Sequence, residues 1–340
     1  MIVRSKAPLR IGLAGGGTDV APYSDIYGGA ILNATISMFA HATIVPRDDH
    51  KIVLYSIDNN ERYEYDSMEQ LPFNGDLNLL KGIYNRVVSD YTGEPLSFEL
   101  STFVDAPPGS GLGSSSTLAV TVLGAFAEWL NLPLGEYDLA RVAYEVERID
   151  LKMAGGKQDQ YAATFGGVNF MEFFNENKVI VNPLRIRPQY LNELAHNLIL
   201  FNTRTSRLSS QIIERQSQNV INQHEITIEA THKLKKQAVM MKEALLKGKL
   251  DQIGEILDFG WRNKKLMAAG ISNSVIDKIY QTAMDNGALG GKISGAGGGG
   301  FMIFYCPNNG RYKVVNALKK FGGIAHRYEF TRNGLTTWSI

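Results

Sequence analysis

Apolar and polar positions alternate from Ser97 to Asp105, with Phe98, Leu100 and Val104 in phase, and this predicts a strand. An apolar run from Leu118 to Leu130, broken only by Gly124, predicts a helix. Upstream, Met1–Arg10 reads as a strand, and residues 30–57 hold strand-like runs that include Ala42–Val45 and Ile52–Tyr55. Helical spacing places Leu79, Leu80, Ile83 and Val87 on one face of residues 76–91, and Leu139, Val142, Ala143, Val146 and Ile149 on one face of residues 136–151. Phe165–Phe174 predicts a pair of strands and Leu198–Asn202 another strand. From Leu208 to Asn286 the pattern is helical, in segments Glu229–Lys247, Leu250–Ala268 and Ser274–Asn286, the last with Ser274 as its expected cap. The chain closes with strand Phe301–Tyr305, helix Tyr312–Phe321, strand Ile324–Phe330 and strand Leu335–Ile340. This order predicts an α+β protein of two domains with mostly antiparallel sheets, not regular βαβ alternation. Pro183 and Pro188 mark the boundary, giving domains 1–187 and 188–340.

Between the strand at Ser97–Asp105 and the helix that follows lies Pro107-Pro108-Gly109-Ser110-Gly111-Leu112-Gly113-Ser114-Ser115-Ser116-Thr117. A strand, a glycine–serine loop and a helix start form a phosphate receptor. The first helical turn presents unpaired N–H groups and the positive end of the dipole, and glycines let the backbone wrap an anion closely. The loop is neither common phosphate fingerprint: it has no Gly-Lys pair, and Ser114 stands where a dinucleotide loop needs glycine. Two more glycine clusters, Gly12 to Gly17 and Gly290 to Gly300, each adjoin a strand. All three are expected to converge on one polyanionic ligand.

Composition narrows the partners. The chain has 340 residues and a net charge of +1, which argues against a general nucleic-acid binder. Cys306 is the only cysteine, so no intramolecular disulfide forms and a reducing, cytoplasmic setting is expected. No apolar run of about 18 residues exists to span a membrane, and Arg10 interrupts any signal-peptide-like segment. Nothing in the sequence specifies an oligomeric state.

The loop and two further motifs together resemble the GHMP kinases, in matching order across nearly the whole chain. The first is Ala7-Pro8-Leu9-Arg10-Ile11-Gly12-Leu13-Ala14-Gly15-Gly16-Gly17-Thr18-Asp19, and the last is Lys292–Gly300. Within that family, Arg10–Asp19, Gly156-Lys157-Gln158-Asp159-Gln160-Tyr161-Ala162-Ala163 and Phe165–Phe173 resemble the bacterial D-glycero-D-manno-heptose 7-phosphate kinases. The resemblance implies an N-terminal ribosomal-protein-S5-like domain, a C-terminal ferredoxin-like domain and a site between them. It implies ATP and Mg2+, and transfer to the anomeric hydroxyl of a heptose 7-phosphate. The 1,7-bisphosphate so made would feed nucleotide-activated heptose for surface polysaccharides.

The resemblance assigns roles residue by residue. Asp159 faces the acceptor hydroxyl; a carboxylate with an ordinary pKa of about 3.9 is a weak base, so it orients first and takes the proton late. Arg10 polarises the acceptor and stabilises charge on the transferred group. Pro108, Gly109, Ser110, Gly111, Leu112, Gly113, Ser114, Ser115 and Ser116 bind ATP phosphates, with Gly297 and Gly298 from the third cluster. Glu147 and Ser115 ligate magnesium, with Glu145 and Ser114 as rivals. Gly17, Thr18, Asp19, Lys157 and Gln158 bind the sugar. The stretch Thr203–Ser210 offers two arginines, Arg204 and Arg207, and hydroxyls at a helix start; for the substrate's own phosphate Arg207 is the first candidate, by resemblance, and Lys157 the second.

Alternatives remain open at this stage: a galactose- or fucose-type sugar 1-kinase, a diphosphomevalonate-decarboxylase-type lyase, or a sugar sensor on an inactive kinase fold. Asp258-Phe259-Gly260 spells a protein-kinase tripeptide, but it lies in a helical pattern without the companion motifs and reads as chance.

Overall fold

The computed structural model describes residues 1–107, 109–205 and 209–340, leaving aside the side chain of Ser209. Among the described residues, twelve strands form two sheets. The first sheet is built from β1 (Val3–Ala14), β2 (Gly29–Pro46), β3 (Lys51–Ser56), β4 (Glu61–Asp66), β5 (Phe98–Val104), β6 (Val168–Phe173), β7 (Val179–Pro183) and β12 (Thr336–Ser339), ordered β12-β1-β2-β5-β3-β4, with β6 and β7 continuing from the other end of β2. Among the described residues only β3 and β5 pair in parallel. The second sheet holds β8 (Leu198–Asn202), β9 (Gly290–Ile293), β10 (Phe301–Tyr305) and β11 (Ile324–His326) in the order β11-β8-β10-β9. In chain order this is 4-1-3-2, all antiparallel, as a ferredoxin-like domain requires.

Helices cover the sheets. Against the first sheet lie α1 (Tyr23–Tyr27), α2 (Asn78–Val87), α3 (Ser114–Leu130), α4 (Glu136–Glu145) and α5 (Gln158–Phe165). The second domain contributes α6 (Pro188–Asn197), α7 (Ser209–Ile221), α8 (Glu225–Lys247), α9 (Ile253–Lys265), α10 (Ser274–Asp285) and α11 (Arg311–Leu318). Strand β1 alternates between buried and half-buried residues over Val3–Lys6, then is buried on both faces from Ala7 to Ala14. One core accounts for that change. Leu9, Ile11 and Leu13 pack with Met241 of α8, Leu257 of α9, and Leu200 and Phe301 of the second sheet. Apolar burial of this kind contributes roughly 25 cal/mol per Å2, and here it joins the two domains directly.

The boundary expected at 187/188 falls between β7 and α6. The chain's end nevertheless returns to the first sheet, where β12 pairs with β1. The crossing begins after β11, shorter than the expected Ile324–Phe330, because Ser37 N–H donates to Glu329 O at 2.8 Å and Phe330 bridges to Ile36. Leu335 then packs over Gly124, where a Cβ would come within 2.8 Å of it.

Three more expectations are corrected. Phe165–Phe174 is not a strand pair: Phe165 ends α5, Gly166 and Gly167 turn the chain with φ of 64° and 79°, and β6 alone follows. Ser274 does not cap α10; Asn273 Oδ1 accepts from Val275 and Ile276 N–H, each at 3.0 Å. Helix α3 begins at Ser114, four residues before the apolar run, because Gly113 at φ 82° reverses the loop there.

Candidate active site

The three glycine clusters meet. Gly109, Gly111 and Gly113 have φ of 72°, 78° and 82°, a region that disfavours a side chain. A Cβ on Gly111 would strike Ser294 O, and one on Gly300 would strike Ser110 O. Ser294 Oγ donates to Gly111 O at 2.8 Å, and Lys292 Nζ donates to Gly12 O at 2.7 Å. The third cluster therefore touches both the loop and the first cluster. Ser114, Ser115 and Ser116 form the first turn of α3, where N–H groups lack helical partners and favour an anion. That arrangement fits nucleotide phosphates. Pro108 lies outside the described residues. Gly298 N–H is engaged with Ile271 O at 2.9 Å and Gly297 packs on Ile271, so these two shape the rear of the cradle.

Arg10 is the one charged residue on the doubly buried half of β1. Its Nε and Nη2 lie 2.7 and 2.6 Å from Asp159 Oδ1, and Nη1 donates to Gly111 O at 2.6 Å. Asp159 stands on the first turn of α5 against Gly113, where a Cβ would come 3.2 Å from its Cγ. One guanidinium thus ties the carboxylate to the phosphate loop.

The metal candidates separate clearly. Glu147 is fully buried in the turn that continues α4, and Ser115 Oγ donates to its Oε1 at 3.2 Å. Gln160 Nε2 donates to its Oε2 and, at 3.1 Å, to Ser116 Oγ. Glu145 instead joins surface ion pairs with Arg141 at 3.0 Å and Arg86 at 3.4 Å. Ser114 Oγ turns to Ser110 Oγ at 2.8 Å, leaving Ser115 beside the carboxylate. No cluster of three or more His, Cys, Asp or Glu is present among the described residues. A carboxylate and a hydroxyl suit magnesium, which takes its other oxygens from water and phosphate.

Asp19 is fully buried beside Gly156, where a Cβ would overlap its carboxylate. Its Oδ2 accepts from Gln158 N–H at 3.1 Å, and its Oδ1 has no partner. Burial first, and then the negative charge of Asp159, raise its pKa. Gln158 Oε1 is also buried without a partner, near Gly12. Thr18 Oγ1 donates to Ala30 O and accepts from Ala30 N–H, at 2.9 and 3.0 Å, so its proton serves the loop that carries Asp19.

The cations proposed for a distal phosphate diverge. Lys157 is buried and gives its ammonium to Asp25 Oδ1 at 3.1 Å. Arg204 is exposed, on a backbone with φ of 55°. Arg207 lies outside the described residues. The Asp258-Phe259-Gly260 tripeptide sits in α9, with Asp258 accepting from Tyr280 Oη at 2.6 Å.

Models of the GHMP kinases' N-terminal domain and C-terminal domain match residues 78–167 and 241–324. The D-glycero-alpha-D-manno-heptose 7-phosphate kinase of Campylobacter jejuni is 49% identical over 99% of this chain and 99% of its own. The chain belongs to the GHMP kinases. Among solved structures, a D-glycero-D-manno-heptose 1-phosphate kinase from Bacteroides thetaiotaomicron superposes with a TM-score of 0.85, at 45% identity and 99% coverage of both chains. Lactococcus lactis galactokinase in complex with galactose shares the fold alone, with a TM-score of 0.78 at 21% identity over 98% of this chain and 95% of its own. GHMP kinases use ATP, and the loop, Arg10 and Asp159 occupy one site in this member too.

Two buried lysines of this GHMP kinase escaped the sequence reading. Lys292 opens the third motif, and its ammonium is pushed down to about 7 by burial, then by Lys264 and Arg10. Lys264 Nζ donates to Gly16 O at 3.0 Å, and burial pushes it down to about 8. Its signal was periodicity: it falls seven residues after Leu257 and three after Trp261, on the apolar stripe of α9. A lysine on that stripe has to meet a polar partner, and the first glycine cluster supplies it.

Proposed function

We propose that this GHMP kinase transfers the γ-phosphoryl group of ATP to the anomeric hydroxyl of D-glycero-D-manno-heptose 7-phosphate. The bond from the acceptor oxygen to phosphorus forms, the bond from that phosphorus to the β-γ bridging oxygen breaks and leaves ADP, and the hydroxyl proton passes late to Asp159. The observation that carries this reading is Asp159, held by Arg10 against the phosphate loop, next in sequence to Gln158, whose N–H bonds the buried carboxylate of Asp19. Full-length likeness to the Campylobacter heptose 7-phosphate kinase supports the choice of sugar.

Phosphoryl transfer depends on placement and charge more than on covalent work by the protein. Asp159 accepts from the acceptor hydroxyl and aims its oxygen. Arg10 holds Asp159 in place and carries positive charge to the edge of the loop. Gly109 to Ser116 take the phosphates on backbone N–H groups. Glu147 and Ser115 would hold Mg2+, which would supply positive charge against the phosphates. Asp19 and Gln158 present acceptors to sugar hydroxyls, and Gly17, lacking a side chain, lets Lys264, Met267 and Gln216 close on the loop that carries Asp19. With Lys157 paired to Asp25, Arg204 and Arg207 are the cations left to meet the distal phosphate.

The ATP this chemistry uses is supplied in the cytoplasm, and no helix among the described residues is long and apolar enough to cross a membrane. The names of the two heptose kinase relatives place the existing phosphate differently, at position 7 or position 1. Incubating the enzyme with ATP and each heptose monophosphate separately decides between them: the 7-phosphate should be consumed and the 1-phosphate left unchanged.

A further inference from the structure

Lys264 lies on the last turn of α9 with its ammonium wholly buried. An ammonium has three N–H donors, and one of these goes to Gly16 O at 3.0 Å. The tip is pressed against the first glycine cluster: a Cβ on Gly17, where φ is 101°, would come 2.9 Å from Lys264 Nζ and 3.3 Å from Gln216 Oε1. Gln216 Nε2, at the same spot, is buried without a partner. Two residues beyond Gly17, Asp19 Oδ1 is buried and unpartnered as well.

Asp19 and Lys264 attract each other, each stabilising the other's charged form. Yet no ion pair within 4.0 Å joins them among those of the described residues. A buried carboxylate with an unpartnered oxygen, and a buried ammonium packed on Gly16 and Gly17 of the same loop, are costly in isolation. A sugar hydroxyl resolves both, because it accepts through its oxygen and donates through its proton. We propose that Lys264 is a specificity residue of this kinase, donating from Nζ to the oxygen of one sugar hydroxyl whose proton goes to Asp19 Oδ1.

The inference rests on the sugar-phosphate acceptor proposed above and goes beyond it. A lone carboxylate accepts from any hydroxyl or amino group. Adding an ammonium requires a group that accepts as well as donates. A deoxy position leaves both charges unpaired, and a protonated amine is repelled by Lys264. The lysine also reaches from the second domain to the motif of the first, so a correct sugar is sensed across the domain junction.

The test is a cycle between protein and substrate. Wild type and Lys264→Met are assayed for kcat/KM on D-glycero-D-manno-heptose 7-phosphate and on its 2-deoxy, 3-deoxy and 4-deoxy analogues. Wild type should disfavour one analogue by about a hundredfold or more. Lys264→Met should lose a similar factor on the parent sugar and almost nothing further on that analogue, while Lys264→Arg recovers part of the loss. An equal loss on all four sugars would make Lys264 only a brace for the glycine cluster and overturn the proposal. If Lys264→Met fails to fold, Asp19→Asn is put through the same four sugars; additivity with every analogue overturns the proposal equally. Turnover of the parent sugar by wild type is the separate check on the acceptor itself. Should wild type use galactose or fucose instead, the same cycle is run with that sugar and its monodeoxy analogues, and the same two outcomes apply.

Discussion

Arg10 holds Asp159 from the side through Nε and Nη2, at 2.7 and 2.6 Å from one carboxylate oxygen, while its third nitrogen bonds Gly111 O. The second oxygen of Asp159 stays available for an acceptor hydroxyl. Asp159→Asn should leave ATP affinity close to wild type and lower kcat by about a hundred- to ten-thousandfold, the usual range for loss of a positioned acid–base group. Equilibrium ATP binding and steady-state kinetics on the same preparations check both halves. A near-wild-type kcat would remove Asp159 from the mechanism.

Glu147 and Glu145 differ by two residues and by everything around them. Glu147 is buried beside Ser115, whereas Glu145 belongs to a surface ion-pair network with Arg86 and Arg141. Glu147→Gln should therefore raise the magnesium concentration needed for half-maximal activity about tenfold or more, and Glu145→Gln should barely move it. Parallel magnesium titrations that coincide for the two variants contradict the assignment.

Lys292 makes stability depend on pH. Burial, Lys264 and Arg10 push its ammonium down to about 7 from an ordinary 10.5. Between those values the unfolded chain binds a proton that the folded chain has released, so stability rises with pH from about 7 toward 10. Lys264, pushed down to about 8, adds the same sign above that pH. The urea midpoint of the ligand-free protein should increase from pH 7 to pH 9.5, and Lys292→Met should flatten that slope. Equal slopes in variant and wild type would show that Lys292 keeps an ordinary affinity for its proton.

The substrate's distal phosphate gives a selective prediction. Arg207→Ala should lower kcat/KM on heptose 7-phosphate about ten- to a hundredfold, as loss of a charge-assisted hydrogen bond of roughly 1.5–3 kcal/mol implies. Any residual activity on unphosphorylated heptose should be nearly unaffected. Lys157→Ala, which breaks an ion pair with Asp25, should weaken both substrates alike. Equal losses on both sugars in Arg207→Ala would favour an unphosphorylated natural substrate.

Much of this site was legible in the chain because its chemistry is local. The strand–loop–helix around Gly109–Ser116 carries its own signature in glycine spacing and in the apolar run that follows. The Arg10–Asp159 pair was expected from family likeness, not from spacing, since the two lie 149 residues apart. The helix start at Ser114 was missed because Ser114–Thr117 look like loop residues until Gly113 is seen reversing the chain. Lys264 and Lys292 were missed for a different reason. A lysine reads as solvated by default, and only the packing of α9 and β9 against the first glycine cluster reveals that these two are buried. The return of β12 to the first sheet had no local signal: it is a long-range pairing with Val3–Lys6.

The most direct test of the account is the reaction itself. Purified protein with ATP, Mg2+ and D-glycero-D-manno-heptose 7-phosphate should release ADP one for one with sugar consumed. Phosphorus NMR should then show a second sugar phosphate resonance, split by the anomeric proton. No turnover of the 7-phosphate, alongside brisk turnover of galactose, fucose or mevalonate, would contradict the account.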